Sequence, residues 1–107
     1  MAVSEVFRAL GDPVRLEMVR RLSLGEPSTI SGVSLGLGIT RQGARKHLQV
    51  LADAGLVTLV SQGREVAVAL SPARLEAARA FLAEMERRWD ERLDALKRFV
   101  EKTPETR

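Results

Sequence analysis

Arg41, Gln42, Arg45, Lys46 and Gln49 crowd into residues 41–49, and the only acid between Thr40 and Gly55 is Asp53. Guanidinium and ammonium groups are pure donors suited to anionic oxygens. Side-chain amides donate and accept at once, so they can pair with the edges of planar heterocycles. A solvated helix face ordinarily mixes its signs, and this one does not. The chemistry open to such a set is recognition of a polyanion that also presents hydrogen-bonding edges. Bond-making chemistry has no comparable constellation. The chain has no Cys, no Tyr and one His, and no Ser or carboxylate pair stands in a catalytic arrangement, so an enzyme is not expected.

These side chains need an element to hold them on one side. At about 100° per residue, Gln42, Arg45, Lys46 and Gln49 fall opposite Ala44, Leu48, Leu51 and Ala52, which predicts an amphipathic helix over about 40–54. Thr40 is its N-cap and Gly55 its stop. Upstream, Val3, Val6, Phe7 and Leu10 repeat at helical spacing over about 3–10 and Gly11 ends the pattern. Asp12 then caps a second helix with Pro13 at its first position. Leu16, Val19 and Leu22 are expected to line the inner face of that helix, and Gly25 with Pro27 closes it. The stretch "STISGVSLGLGI" is the poorest helix former, since Gly32 and Gly36 each cost up to about 1 kcal/mol relative to Ala. Ile30, Val33, Leu35 and Leu37 can still pack on a short helical turn, with Gly38 as a stop.

Downstream, "LVTLV", "SQG" and "REVAVAL" read as strand, turn and strand over about 56–70, with Val66, Val68 and Leu70 alternating. Ser71-Pro72 starts a helix over about 72–101. Its stripe of Leu75, Ala78, Leu82, Met85, Trp89, Leu93, Leu96 and Val100 outlasts any core so small a domain can offer, and so is expected to meet another chain. The tail "TPETR" is expected to fray. No repeat or low-complexity segment is present.

The bulk numbers agree with one small domain over residues 1–107. Net charge is +3, from 17 basic and 14 acidic residues, but the excess is local. Residues 41–64 hold Arg41, Arg45, Lys46 and Arg64 against Asp53, whereas charges after residue 70 are interleaved. Without cysteine there is no disulfide framework and no thiolate metal site. No stretch is long and apolar enough to span a bilayer, and "MAVSEVFRALGDP" lacks the apolar run of a signal peptide. A cytoplasmic location is expected, with no membrane partner and no cofactor.

Helix, helix, short helix, polar-faced helix, hairpin and long helix is the order of a winged helix-turn-helix, in which the second helix of the pair enters the major groove with its N-terminal residues leading. The segments "FRALGDPVRLEMVRRL", "GITRQGARKHLQVLADAGLV" and "GREVAVALS" together resemble the ArsR/SmtB family of dimeric bacterial repressors, over nearly all of residues 5–100. The ending "WDERLDALKRFVE" is similar to a branch of that family without metal sites. The resemblance implies a mostly α fold with a small β-hairpin and a long C-terminal dimerisation helix. It implies a sequence-specific regulator of double-stranded DNA, acting as a homodimeric repressor on a near-palindromic operator; it names no effector. Contacts to DNA would fall to Thr40, Arg41, Gln42, Arg45, Lys46 and Gln49, with Arg64 anchoring the wing. The first and last helices would form the dimer interface through Val6, Phe7, Leu82, Met85, Trp89, Leu93 and Leu96. Two departures stand out: Arg45 occupies a place where many members have serine, and Gly43 sits in the first helical turn, either for close approach to DNA or because it is tolerated there.

Several other residues admit rival readings. His47 is read as a packing or cap-side histidine rather than a phosphate contact. Trp89 is read as interface, with a small hydrophobic ligand at the dimer seam as the alternative. Asp90, Glu91 and Asp94 lie among Arg87, Arg88, Arg92 and Arg98 and are read as a salt-bridged surface, not a metal site. "GLGITR" fails as a dinucleotide fingerprint because Arg41 takes the third glycine position and no strand precedes it. Arg8, Arg15, Arg20 and Arg21 stay open between solvent and phosphate. The remaining alternative for the whole chain is a winged-helix module that binds protein rather than DNA.

Overall fold

Asp12 and Thr40 decide where the two principal helices of the N-terminal half begin. Both have extended backbone, and both accept from amides of the first turn: Asp12 from Val14 and Arg15 at 2.9 and 3.1 Å, Thr40 from Gly43 at 2.9 Å. Donors that a helix start otherwise leaves orphaned are thereby satisfied. The computed structural model describes residues 3–102. It contains α1 (Val3–Leu10), α2 (Pro13–Ser23), β1 (Ser28–Thr29), α3 (Ile30–Ser34), α4 (Arg41–Asp53), β2 (Val57–Gln62), β3 (Glu65–Leu70) and α5 (Pro72–Lys102). The tail "TPETR" lies outside the described residues.

One core joins these elements. Ala44, Leu48 and Leu51 of α4 are fully enclosed, packed with Val6 and Ala9 of α1, Met18, Val19 and Leu22 of α2, Ile30 and Val33 of α3, and Val68 of β3. In α2 the expected inner face is corrected: Leu16 is 55% exposed and Met18 is buried in its stead. The two lie about 200° apart around the helix, and the side facing the other helices is centred on Met18 and Leu22.

The expected hairpin is part of a larger sheet. β1 pairs antiparallel with β3 (Ser28 opposite Val68, Thr29 opposite Ala67), giving the strand order β1-β3-β2. Two residues are too few to show a period, so this strand left no pattern in the sequence. Close packing at β1 also accounts for Gly32, because a Cβ there would collide with the Ser28 hydroxyl.

The link from α3 to α4 turns on Gly36 and Gly38, whose φ angles of 77° and 71° are left-handed and would strain any residue with a Cβ. Leu35, expected to pack, is exposed instead, while Leu37 packs on the core. Arg21 reaches across from α2 and donates from Nη1 to the carbonyls of Val33 and Leu35 at 3.2 and 2.7 Å. It thereby satisfies acceptors that the end of α3 leaves open.

α5 begins as part of the domain. Ala78 is buried, and Phe81 meets Phe7 of α1 edge to face with ring centroids 5.7 Å apart. Beyond that point it leaves the core: Leu82, Trp89, Leu93, Leu96 and Val100 are all exposed in the single chain. At 31 residues, the helix is roughly 46 Å long. Among the described residues, no helix is long and apolar enough to cross a membrane.

Candidate nucleic-acid interface

With its apolar face locked into the core, α4 can present only one side outward. Gln42, Arg45, Lys46 and Gln49 share that side, all exposed, around a shallow depression of about 270 Å³. Arg45 and Lys46 make no hydrogen bond or ion pair with any described residue, so both cations are available. Gln49 donates to the Asp53 carboxylate at 2.9 Å, which leaves its amide oxygen open. The first turn carries no acid, and the helix N-terminus adds partial positive charge of its own. An anion placed there would meet backbone dipoles, a guanidinium and an ammonium together.

The flanking residues differ in role. Thr40 is the N-cap, its hydroxyl accepting from the Gly43 amide. A Cβ on Gly43 would sit 3.2 Å from that same hydroxyl, close enough that the cap would have to give by a few tenths of an ångström. Arg41 turns back toward α3 and donates to the Ser31 hydroxyl at 3.1 Å, apart from the cluster formed by the other four. Arg64 is exposed in the two-residue turn between the paired Gln62 and Glu65, at the tip of the β2–β3 wing.

For the expected dimer surface, Phe7 is half-buried against Phe81, Met85 is half-buried, and Leu82, Trp89, Leu93 and Leu96 are exposed. Val6 is corrected. It is 1% exposed in the single chain and belongs to the core, with no surface left for a partner; in an eight-residue helix, one apolar face cannot serve both. Met85, Trp89, Arg88 and Arg92, all on α5, line an open apolar surface depression of about 290 Å³. Among the described residues, no group of three or more His, Cys, Asp or Glu side chains could hold a metal ion.

One cluster was not legible in the sequence as a unit. His47 is half-buried, with Nδ1 3.2 Å from Nη1 of Arg15 and 3.9 Å from the Asp12 carboxylate. Nε of Arg15 also donates to the Ala9 carbonyl at 2.6 Å. The Arg15 backbone amide, followed by that of Val14 and, more weakly, the Arg15 charge, holds the Asp12 carboxyl below its usual range despite partial desolvation. Arg15 and His47 are 32 positions apart across the α2–α4 packing, and only that packing brings them together.

Known proteins place this arrangement. Residues 10–60 match a family described as a helix-turn-helix domain. The chain is 40% identical over 65 residues to an uncharacterized HTH-type transcriptional regulator, YuzN, of Bacillus subtilis strain 168, covering 55% of this chain and 71% of the relative. An ArsR-like transcriptional regulator from Rhodococcus sp. RHA1 superposes with a TM-score of 0.74 at 33% identity, covering 94% of each chain. A crystal structure of an ArsR family transcriptional regulator gives the same TM-score, 0.74, at 32% identity, covering 81% of this chain and 94% of the other. Identity, coverage and fold agree, and the chain belongs to the ArsR family of winged helix-turn-helix transcriptional regulators.

Proposed function

We propose that this regulator is a cytoplasmic homodimeric repressor that binds a near-palindromic operator in double-stranded DNA. Each protomer places α4 in a major groove, the two helices about 34 Å apart across a two-fold axis. The observation that carries the reading is the outward face of α4, where Arg45 and Lys46, unpaired among the described residues, stand between Gln42 and Gln49. An arginine can bridge a guanine edge, a glutamine an adenine edge, and a lysine a phosphate. Thr40 and Arg41 border the leading end, and Arg64 on the wing meets backbone or minor groove. A module that had exchanged DNA for a protein partner would have no use for unpaired cations on this side.

The exposed stripe of Leu82, Trp89, Leu93 and Leu96, continuous with Phe7, is the surface a second copy would cover. The depression at Met85 and Trp89 lies on this stripe and supports a second reading, in which a small hydrophobic ligand at the seam gates DNA binding. An apolar ligand that binds the dimer and weakens operator affinity would establish it.

The test is fluorescence anisotropy of the full chain with its own upstream DNA and a scrambled duplex, across a salt series. Saturable binding of two protomers to the upstream duplex only, weakening steeply with salt, is expected. Absence of binding to either duplex at low salt refutes the reading. A reporter placed behind the bound site should fall in output when the protein is present.

A further inference from the structure

We infer that Arg15 is a positioning residue for DNA reading: its guanidinium ties the last turn of α1 to the middle of α4 through the neutral imidazole of His47, fixing how α4 is rolled. Its consequence for DNA rests on the function proposed above; its geometry does not.

Arg15 joins three helices. Its own backbone amide is held by the Asp12 cap at the start of α2. Nε donates to the Ala9 carbonyl at 2.6 Å, one of the four acceptors that the end of α1 leaves without a helical partner. Nη1 lies 3.2 Å from Nδ1 of His47 on α4. A guanidinium can only donate, so Nδ1 must accept with its lone pair and the ring proton sits on Nε2. The bond therefore exists only while His47 is neutral. Protonation would place a donor against a donor and a cation against a cation. The Asp12 carboxylate, 3.9 Å from Nδ1, would then be the ring's preferred partner, and Arg15 would release α4. The other charges around Arg15 are Glu5 and Arg8 of α1 and Asp53 of α4, which line the same cleft; Lys46 adjoins His47 along α4.

Roll matters because the reading side chains project far from the helix axis. At roughly 6 Å from the axis, a 10° rotation moves a group by about 1 Å. That is enough to misalign a bidentate base contact, while a phosphate contact by a flexible cation adjusts. The loss of Arg15 should thus damage discrimination between sequences more than affinity for DNA as such. A phosphate-binding arginine would do the reverse.

The experiment compares the full-length parent with R15Q, R15K and H47N, each first checked for folding by thermal melting. Anisotropy is read on the upstream and scrambled duplexes across salt, and the His47 tautomer by long-range 15N–1H correlation in the free protein. The parent should show the Nε2–H tautomer and prefer the upstream duplex. R15Q should lose operator affinity on the order of tenfold, at the low end for one base contact, with scrambled-duplex affinity and salt slope unchanged. H47N places an amide oxygen where Nδ1 stands and can still accept from Arg15, so it should keep discrimination; it also carries the test if R15Q fails to fold. Equal losses on both duplexes, with a salt slope shallower by about 0.9 per protomer, would make Arg15 a phosphate ligand and overturn the proposal. An Nδ1–H tautomer would overturn it too. A parent that does not discriminate would overturn the DNA reading and with it the role of Arg15, while the tautomer would separately report whether the bridge exists.

Discussion

Replacing Arg45 with alanine would separate DNA reading from folding. The side chain is exposed and unpaired among the described residues, so nothing in the fold is left unsatisfied when it goes. Alanine is the better helix former, and a cation near a helix N-terminus opposes the macrodipole. Stability should therefore stay within about 0.5 kcal/mol of the parent or rise slightly, a change of no more than about 4 °C in melting temperature for a domain of this size. DNA binding should change much more. If each Arg45 neutralises one phosphate, the proposed dimer would lose two, and the slope of log K against log salt should become shallower by about 1.8. If each instead bridges a guanine, affinity should fall by about 1–3 kcal/mol per half-site, and specificity should relax at one symmetric pair of positions while the slope holds. Anisotropy titrations at four salt concentrations, on the operator and on single-base variants, distinguish the two. Melting that drops by more than about 5 °C, or binding equal to the parent at every salt, would refute the placement of Arg45 on the groove face.

Three further outcomes follow from the packing and charges. Leu48 is 0% exposed at the centre of the core, so Leu48→Ala should cost about 2–5 kcal/mol by urea unfolding and weaken DNA binding only in proportion to the unfolded fraction; a cost below about 1 kcal/mol would mean that α4 is not anchored there. Glu17 is held at a pKa of about 2, against an ordinary 4.5, by hydrogen bonds from Arg20 and then Arg21. Because the folded value is the lower one, its stabilisation is complete above the ordinary value and is lost as pH falls toward 2. Urea midpoints from pH 5.5 to 2 should show this loss in the parent and a flatter profile in Glu17→Gln; superimposable profiles would remove Glu17 from the account. Trp89 is 67% exposed in the single chain, so Trp89→Ala should leave the protomer fold intact while raising the dissociation constant of the proposed dimer about 1,000-fold, as for two aromatic anchors worth about 2 kcal/mol each; an unchanged constant by analytical ultracentrifugation would put the interface elsewhere.

The helices of this protein, and the side of α4 that meets solvent, could be read from the chain because their causes are local. Asp12-Pro13 and Thr40 declare helix starts through side-chain capping, and Ala44, Leu48 and Leu51 recur at the helical period that also gathers Gln42, Arg45, Lys46 and Gln49. Spacing of that kind survives whatever the rest of the chain does. The remainder depended on which surfaces meet. Leu16 and Met18 are both apolar on the same helix, and only the position of the neighbouring helices buries one and exposes the other. β1 is two residues long and exists because β3 passes beside it. Val6 was consumed by the core, while the far half of α5 was left bare, a division set by how much apolar surface one small domain can enclose. Arg15 and His47 are unremarkable in sequence. Their partnership between α2 and α4 comes from a contact across 32 residues that no periodicity encodes.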